Sequence, residues 1–311
     1  MKDFFTDKEK HAITDAVMFR FERSGFDSMN RFSKSIGMSA ADMTNLSRKK
    51  WVNNQSLVGE AKWVKLARIV GFERNDRLQW NTADTEVKVK IDTQLNYCRN
   101  YSLSGILVDD AGIGKSYACR EYSRIHPNVF YIDCSNARTK NRFIRSIATA
   151  VGVDSGTRYD DMLADAIYAL HMTDKPLLIF DEAGDLEDRS ILEFKRMYNA
   201  LEMQCGFYVV GSDGFRSKIE RGIAHKKVGF TEVFSRLGKN FTKVLPSMLE
   251  EKREKIKQMA EAILKVNGIT DVQVIRDIQK KLFENGLKDM RTVQREVMKL
   301  RILNQLNSKE N

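Results

Sequence analysis

The chain has few of the residues that build disulfide frameworks or metal clusters. Its 311 residues include four cysteines and four histidines, all widely spaced, and no two cysteines form a CxxC pair. Scattered cysteines of this kind are typical of reduced thiols in the core of a cytosolic protein. We therefore expect neither a disulfide-stabilised fold nor a structural zinc site.

Long apolar segments are also missing. No run of 18 apolar residues occurs, and the first ten residues (MKDFFTDKEK) lack the apolar core of a signal peptide. The hydrophobic fraction of 42% is ordinary for a globular protein. These features predict a cytoplasmic protein without a membrane span. No internal repeat or low-complexity tract is found.

The charge of the chain is unevenly distributed. Lysine and arginine number 52 against 42 aspartates and glutamates, which gives a net charge of +10. Residues 1–80 carry 15 basic and 10 acidic side chains, residues 246–311 carry 14 and 10, and the middle is nearly neutral. Basic flanks of this kind favour binding to a phosphate backbone. Lysine-rich faces that only serve solubility remain the alternative.

The clearest motif is a phosphate-binding loop at residues 109–116 (DDAGIGKS). It lies between an apolar run, Leu103–Val108, and a helical pattern that continues from Tyr117. Gly112 and Gly114 let backbone N–H groups point at an anion, and the following helix adds partial positive charge. The nucleotide-binding residues predicted from this loop are Ala111, Gly112, Ile113, Gly114, Lys115 and Ser116.

Two side chains of this loop have specific expected roles. Lys115 should reach the β- and γ-phosphates, and Ser116 should hold Mg²⁺. Asp109 occupies the position where the usual pattern has its first glycine. This departure is compatible with weaker nucleotide binding.

A pair of acids supports the loop. Asp181 and Glu182 end an apolar run that begins at Pro176, well downstream of the loop. In P-loop NTPases an acid at such a strand end holds Mg²⁺, which is the role expected for Asp181. Glu182 is placed to polarise the water that attacks the γ-phosphate. The sequence therefore predicts binding of ATP with Mg²⁺, followed by hydrolysis.

From residue 84 onward, apolar strands alternate with amphipathic helices, as in a βαβ protein with a parallel sheet. The expected strands are Leu103–Val108, Val129–Asp133, a run ending at Asp181, Gly206–Gly211 and Phe241–Leu245. The expected helices are Asp84–Arg99, Thr139–Val151, Asp160–His171 and Ser190–Met203, then three helices after Pro246. We predict a helical domain over 1–71, a linker over 72–84, an α/β nucleotide-binding domain over 85–245 and a helical lid over 246–311.

The N-terminal region contains a pattern typical of a helix-turn-helix. A short helix ends at Gly37, and Ser39 is placed to cap the next helix. Polar and basic residues of the second helix would face a DNA groove and its phosphates. Similar two-helix patterns also occur in folds that do not bind DNA. The candidate DNA-contacting residues are Thr44, Asn45, Arg48, Lys49 and Lys50.

A P-loop α/β core followed by a small helical lid resembles the AAA+ ATPases. The resemblance implies three further functional residues. Ser212, after the strand that follows the Asp181-Glu182 strand, would orient the attacking water. Arg236 would reach the γ-phosphate bound by a neighbouring subunit, and Arg291 would complete the pocket from the lid, with Arg295 as the alternative. An arginine acting between subunits implies an oligomer, either a ring or a helical filament.

Within that class, the layout resembles the phage Mu B and TnsC-like transposition ATPases. The resemblance implies assembly on double-stranded DNA and activation of a DDE-type transposase. It also assigns DNA contacts to the loop after the second strand, at Arg138, Lys140 and Arg142. A second basic, glycine-containing stretch, residues 221–227, is a further candidate and is predicted to be a mobile loop.

Two other functions fit the same motifs. A helicase loader or replication initiator would share the nucleotide site and the basic flanks. A transcriptional regulator could use the nucleotide only as a sensed ligand, in which case loss of Glu182 would leave its function intact.

Overall fold

The computed structural model describes residues 4–22, 26–49, 58–72, 80–283 and 289–310, with side chains through 303. Two compact units are present. One comprises Met1–Arg77 with Asn141–Met172, and the other comprises Leu78–Lys140 with Thr173–Asn311. Two helices from the middle of the chain thus group with the N-terminal helices. The predicted division into four segments stays a prediction.

The described residues form helices and five strands in the alternating order expected. The helices are α1 Asp7–Glu22, α2 Met29–Ser35, α3 Ala40–Ser47, α4 Glu60–Val70, α5 Glu86–Tyr101, α6 Lys115–Ile125, α7 Lys140–Val151, α8 Tyr159–His171, α9 Asp188–Leu201, α10 Asp213–Ala224, α11 Phe230–Arg236, α12 Leu249–Val266, α13 Val272–Lys281 and α14 Met290–Glu310. The strands are β1 Ser104–Val108, β2 Val129–Asp133, β3 Leu177–Asp181, β4 Gly206–Gly211 and β5 Phe241–Thr242.

The first unit has its own apolar core. Phe32, Met43, Leu46, Trp63 and Leu66 are each at most 1% exposed and pack in one cluster. Trp63 therefore belongs to the core, as its helical spacing indicates, and is not available to stack on a base. Burial of these side chains, at roughly 25 cal/mol per Å² of apolar surface, is what holds such short helices in place.

The turn between α2 and α3 follows from its sequence. Gly37 takes a left-handed φ of 63° that suits the tight turn. The Ser39 hydroxyl accepts from the Asp42 amide at 3.1 Å, and the Asp42 carboxylate accepts from the Ser39 amide at 3.3 Å. This reciprocal capping box starts α3. The helix-turn-helix function stays a prediction.

The second unit is built on a parallel sheet with strand order β2-β3-β4-β1-β5. Adjacent strands are in register, so that Asp133 pairs with Asp181 and Val108 pairs with Gly211. All five strands point the same way, so their carboxyl ends meet at one edge. The loops that follow β1, β3 and β4 therefore share that edge.

Both faces of the sheet are covered, which explains why β3 and β4 are apolar without alternation. On one face, Ile179 and Tyr208 pack in a cluster with α5, α6 and the C-terminal helices α12–α14. On the other face, Phe180 contacts Phe194 of α9 edge to face at 4.6 Å. None of the helices in the described part of the chain combines the length and apolar composition that a membrane crossing needs.

Two expectations of the second unit were wrong, and two of its helices were missed. The last strand covers only Phe241–Thr242, because the amides of Val244 and Leu245 donate to the Asp109 carboxylate instead of extending the sheet. Helices α10 and α11 were not predicted. The stretch expected to be a mobile loop forms the last turn of α10, followed by a turn in which the Lys227 amide donates to the Gly222 carbonyl at 2.9 Å.

Gly206 gives a test of how tightly the sheet packs on α5. A Cβ at this position would lie 2.4 Å from the Cys98 carbonyl oxygen and 2.9 Å from Leu177 Cδ1. We expect Gly206→Ala to lower the free energy of unfolding by about 1–3 kcal/mol, because the backbone carbonyl cannot move aside freely. Urea unfolding monitored by circular dichroism measures the change.

Gly214→Ala is the matched control, since a Cβ there meets Ser212 Oγ at 3.7 Å, an ordinary contact. This change lies in the first turn of α10 and should be neutral or stabilising by up to about 1 kcal/mol. Equal unfolding midpoints for the two variants would contradict the packing argument.

Candidate nucleotide-binding site

The residues predicted to bind nucleotide meet at the carboxyl edge of the sheet. The phosphate loop follows β1, the acid pair ends β3, and β4 lies between these two strands. Ser212, which follows β4 directly, therefore lies between the loop and the acids along this edge. The sequence prediction of one shared site agrees with this topology, while the roles of individual residues stay predictions.

The loop has the backbone shape that an anion cradle requires. Gly112 and Gly114 have φ values of 76° and 99°, a region that residues with a Cβ rarely adopt. No atom outside the immediate neighbours lies within 4 Å of where a Cβ on Gly114 would be, so space for a phosphate group is open there. Helix α6 begins at Lys115 and directs its N-terminal amides at this space. These features fit a nucleotide polyphosphate.

Lys115 is held by the loop itself. Its ammonium group donates to the carbonyl oxygens of Asp109 at 2.7 Å and Asp110 at 2.6 Å. Burial lowers the pKa of Lys115, and the charges of Asp109, Glu182, Asp181 and Asp110 counteract part of that shift. The ammonium is thus a desolvated cation that a phosphate group would stabilise strongly.

The acid pair has two different environments. Asp181 is 2% exposed, and its oxygens accept from the Tyr131 hydroxyl at 2.6 Å and from the Glu182 amide at 3.0 Å. Glu182 follows in a left-handed conformation with φ of 52°. Burial raises the pKa of Glu182, and the negative charge of Asp181 raises it further, while Lys115 lowers it. A buried, hydrogen-bonded carboxylate beside one whose pKa is raised fits a metal ligand next to a general base.

Asp109 has a defined structural environment in place of the usual glycine. It is 3% exposed, and its carboxylate accepts three backbone N–H groups, from Asp110 at 2.8 Å, Val244 at 2.8 Å and Leu245 at 2.9 Å. Three such bonds satisfy a buried carboxylate that would otherwise be costly. The substitution therefore joins the phosphate loop to the segment after β5.

The two candidate arginines lie in different surroundings. Arg236 ends α11, and its Nε donates to Asn199 Oδ1 on α9 at 2.6 Å. The side chain of Arg291 is 75% exposed at the start of α14. The preceding residue, Met290, donates its amide to the Gly112 carbonyl at 2.8 Å, which brings this end of the lid directly onto the phosphate loop.

The candidate DNA-contacting residues of the second unit are exposed but paired with acids. Arg138 is 62% exposed and lies 4.0 Å from Asp185, and Lys140 lies 3.1 Å from Glu193. Arg142, in the first turn of α7, belongs to the first unit and is also exposed.

The remaining candidates of the first unit lie on α3 and at its end. Thr44, Arg48 and Lys49 are exposed and Asn45 is partly exposed, as the helical pattern predicts. Lys49 lies 3.5 Å from Asp15. Lys50 lies outside the described residues.

Sequence reasoning missed Tyr131. It precedes Asp133 by two residues on β2, so the two side chains share one face of the strand. The alternation of side chains along β2 could therefore have placed Tyr131 on the same face as Asp133. Its partner Asp181 is far along the chain, however, and only the pairing of β2 with β3 brings them together.

Comparisons with known proteins agree with the geometry. The family described as AAA domain matches residues 99–219. The chain is 28% identical over 131 residues to the Mu-like prophage FluMu DNA transposition protein B of Haemophilus influenzae, covering 42% of this chain and 45% of that protein. It is 22% identical over 199 residues to the ATP-dependent target DNA activator B of Escherichia phage Mu, covering 64% of this chain and 61% of that protein. The matched regions thus span less than two thirds of these relatives.

Among solved structures, the chain is similar to the Aeropyrum pernix Orc1 protein in complex with DNA. The TM-score is 0.54 with 15% sequence identity, over 76% of this chain and 63% of that chain. At this identity the likeness shows a shared fold.

Tyr131 provides a test of the metal site. We expect Tyr131→Phe to raise the Mg²⁺ concentration for half-maximal ATP binding by roughly 10-fold, because Asp181 loses the donor that orients its carboxylate. Titration of Mg²⁺ at fixed ATP, followed by calorimetry, measures this.

The control is Tyr122→Phe, which removes another buried hydroxyl, bonded to Asn96 Oδ1 at 2.8 Å. Its Mg²⁺ requirement should match that of the unchanged protein. Equal Mg²⁺ curves for all three proteins would rule out a role of Tyr131 in the site.

Proposed function

From the AAA+ P-loop fold of this chain and its similarity to Mu B transposition proteins, we propose that it is an ATPase that assembles with copies of itself on double-stranded DNA and activates a DDE-type transposase. The relatives' names, a DNA transposition protein and an ATP-dependent target DNA activator, support this choice. The observation that carries it is the meeting of Lys115, Asp181 and Glu182 at one edge of the sheet.

Each residue of the site would have a separate role in ATP hydrolysis. ATP with Mg²⁺ supplies the phosphoanhydride bond that is broken. Lys115 would neutralise the β- and γ-phosphates, and Ser116 and Asp181 would hold the metal ion. Glu182, whose pKa is raised by burial and by the charge of Asp181, would take a proton from the attacking water, which Ser212 would orient.

A second basic surface supports contact with a DNA backbone. Lys218, Arg221 and Lys227 line a cavity of about 350 Å³ in the second unit, beside the start of α9. Asp188 lies 2.7 Å from Lys227 and reduces the local charge. Concave cationic surfaces of this size suit a phosphate group. With Arg138 and Lys140, they extend the candidate DNA contacts of this unit.

The nucleotide dependence of DNA assembly tests the proposal. Lys115→Ala should abolish ATP binding and ATP-dependent assembly on DNA. Glu182→Gln should still bind ATP and DNA while turnover falls by about 100-fold or more, because only the base is removed. Nucleotide binding, ATP hydrolysis and electron microscopy of the protein on linear duplex DNA give the three measurements.

Glu182→Gln also separates the alternatives. A nucleotide-sensing regulator would keep full function in this variant, whereas a hydrolysis-dependent assembly would stay trapped on DNA. Pull-down with a DDE-type transposase and with a replicative helicase separates the proposed function from that of a helicase loader. Assembly on DNA that is indifferent to ATP would refute the proposal.

Arg236 is proposed to act on ATP bound by a neighbouring subunit. Arg236→Ala and Glu182→Gln should each be nearly inactive, with losses on the order of 10³-fold for the arginine. Mixing them should restore activity at about a quarter of the interfaces, where an intact base faces an intact arginine. Turnover of the mixture against each variant alone is the measurement.

Asn199→Ala is the matched control, because it removes the partner of Arg236 within the same chain. It should retain most activity if the arginine acts across an interface. A structural role of the Arg236–Asn199 bond predicts equal losses in both variants and no gain on mixing.

A further inference from the structure

The segment between the sheet and the lid is bonded directly to the phosphate loop. Val244 and Leu245 lie between β5 and α12, in the stretch of chain that leads to the lid, helices α12–α14. Their amides both donate to Oδ2 of Asp109, which is buried. A glycine at position 109 could not make these bonds.

Two further contacts connect the same loop to the lid. The carboxylate of Asp110 forms an ion pair with Lys252 in the first turn of α12. The carbonyl of Gly112 accepts from the Met290 amide at the start of α14. Three residues of the loop, Asp109, Asp110 and Gly112, are thus bonded to the segment that leads into α12 and to the beginnings of α12 and α14.

The carbonyls of the residues involved also hold Lys115. Its ammonium donates to Asp109 O and Asp110 O, while the carboxylates of those residues hold the segment and the lid. A bound polyphosphate competes with these carbonyls for the ammonium. The residues whose carbonyls hold the lysine are therefore the same residues whose carboxylates hold Val244, Leu245 and Lys252.

We infer that Asp109 is a positioning residue that couples occupancy of the phosphate loop to the position of the lid. The inference rests on the proposed nucleotide binding and adds the path by which ATP alters the rest of the chain. Asp109 touches no reacting atom in this role. It acts through the amides of Val244 and Leu245.

The experiment compares the unchanged protein with Asp109→Gly and Asp109→Asn. Amide hydrogen exchange of residues 244–256 is measured with and without a non-hydrolysable ATP analogue and Mg²⁺, beside ATP affinity and DNA assembly. In the unchanged protein the analogue should alter exchange in this segment. In Asp109→Gly at saturating ATP analogue, the exchange response should disappear and the ATP dependence of DNA assembly should fall by about 10-fold, because the amides of Val244 and Leu245 lose their acceptor.

Asp109→Asn retains the side-chain volume and one acceptor oxygen, so an intermediate response is expected, and this variant decides the question if Asp109→Gly does not fold. Thr242→Val is the control. It removes the bond from Thr242 Oγ1 to the Ile106 carbonyl at 2.7 Å and so loosens β5 without touching the phosphate loop. It should keep the exchange response.

Two results would overturn the inference. One is an unchanged exchange response in Asp109→Gly, which would leave the residue with a purely structural role. The other is an equal loss in Thr242→Val, which would trace the effect to general loosening of β5. Failure of the proposed function gives a different result from failure of this inference. In that case the unchanged protein would not assemble on DNA, whether or not the ATP analogue alters its amide exchange.

Discussion

The ammonium group of Lys115 lies within the field of four carboxylates, those of Asp109, Asp110, Asp181 and Glu182, and the organisation of the site depends on this one cation. Without it, four negative groups would converge on a partly desolvated edge of the sheet, where their mutual repulsion is only weakly screened. Three of the four acids also have a partner of their own: Asp109 accepts from backbone amides, Asp110 pairs with Lys252, and Asp181 accepts from Tyr131. Burial and the neighbouring charge of Asp181 raise the pKa of the fourth acid, Glu182, and the charge of Lys115 lowers it.

The features of the fold that could be predicted from the sequence are mostly those that depend on neighbouring residues. The apolar runs of β1 to β4, the glycines of the phosphate loop and the capping box at Ser39 all depend on residues close together in the chain. The strand bounds and the cap at Ser39 are confirmed to within a few residues, and Gly112 and Gly114 have positive φ values. The parallel sheet followed from the alternation of strands and helices, and with it the meeting of the loop and the acid pair at one edge.

What could not be predicted depends on distant partners. Tyr131 and Asp181 meet through strand pairing, and Asp109 meets Val244 and Leu245 through the position of β5 beside β1. The helix α10 was missed because Gly214 and Gly222 lower helical propensity. Gly222 is nevertheless required, since a Cβ there would lie 2.2 Å from Phe230 Cδ1. A tertiary contact thus outweighs the local preference.

Gly112 is subject to two independent demands. Its positive φ disfavours a side chain, and a Cβ would also lie 3.1 Å from the Cα of Asp289 and 2.7 Å from its carboxyl carbon. A residue larger than glycine would strain the turn and would also push the start of α14 away from the loop. Glycine at this position therefore meets two requirements, the turn of the phosphate loop and the close approach of the start of α14. If only one of these two requirements were removed, the other would still exclude a larger residue at position 112.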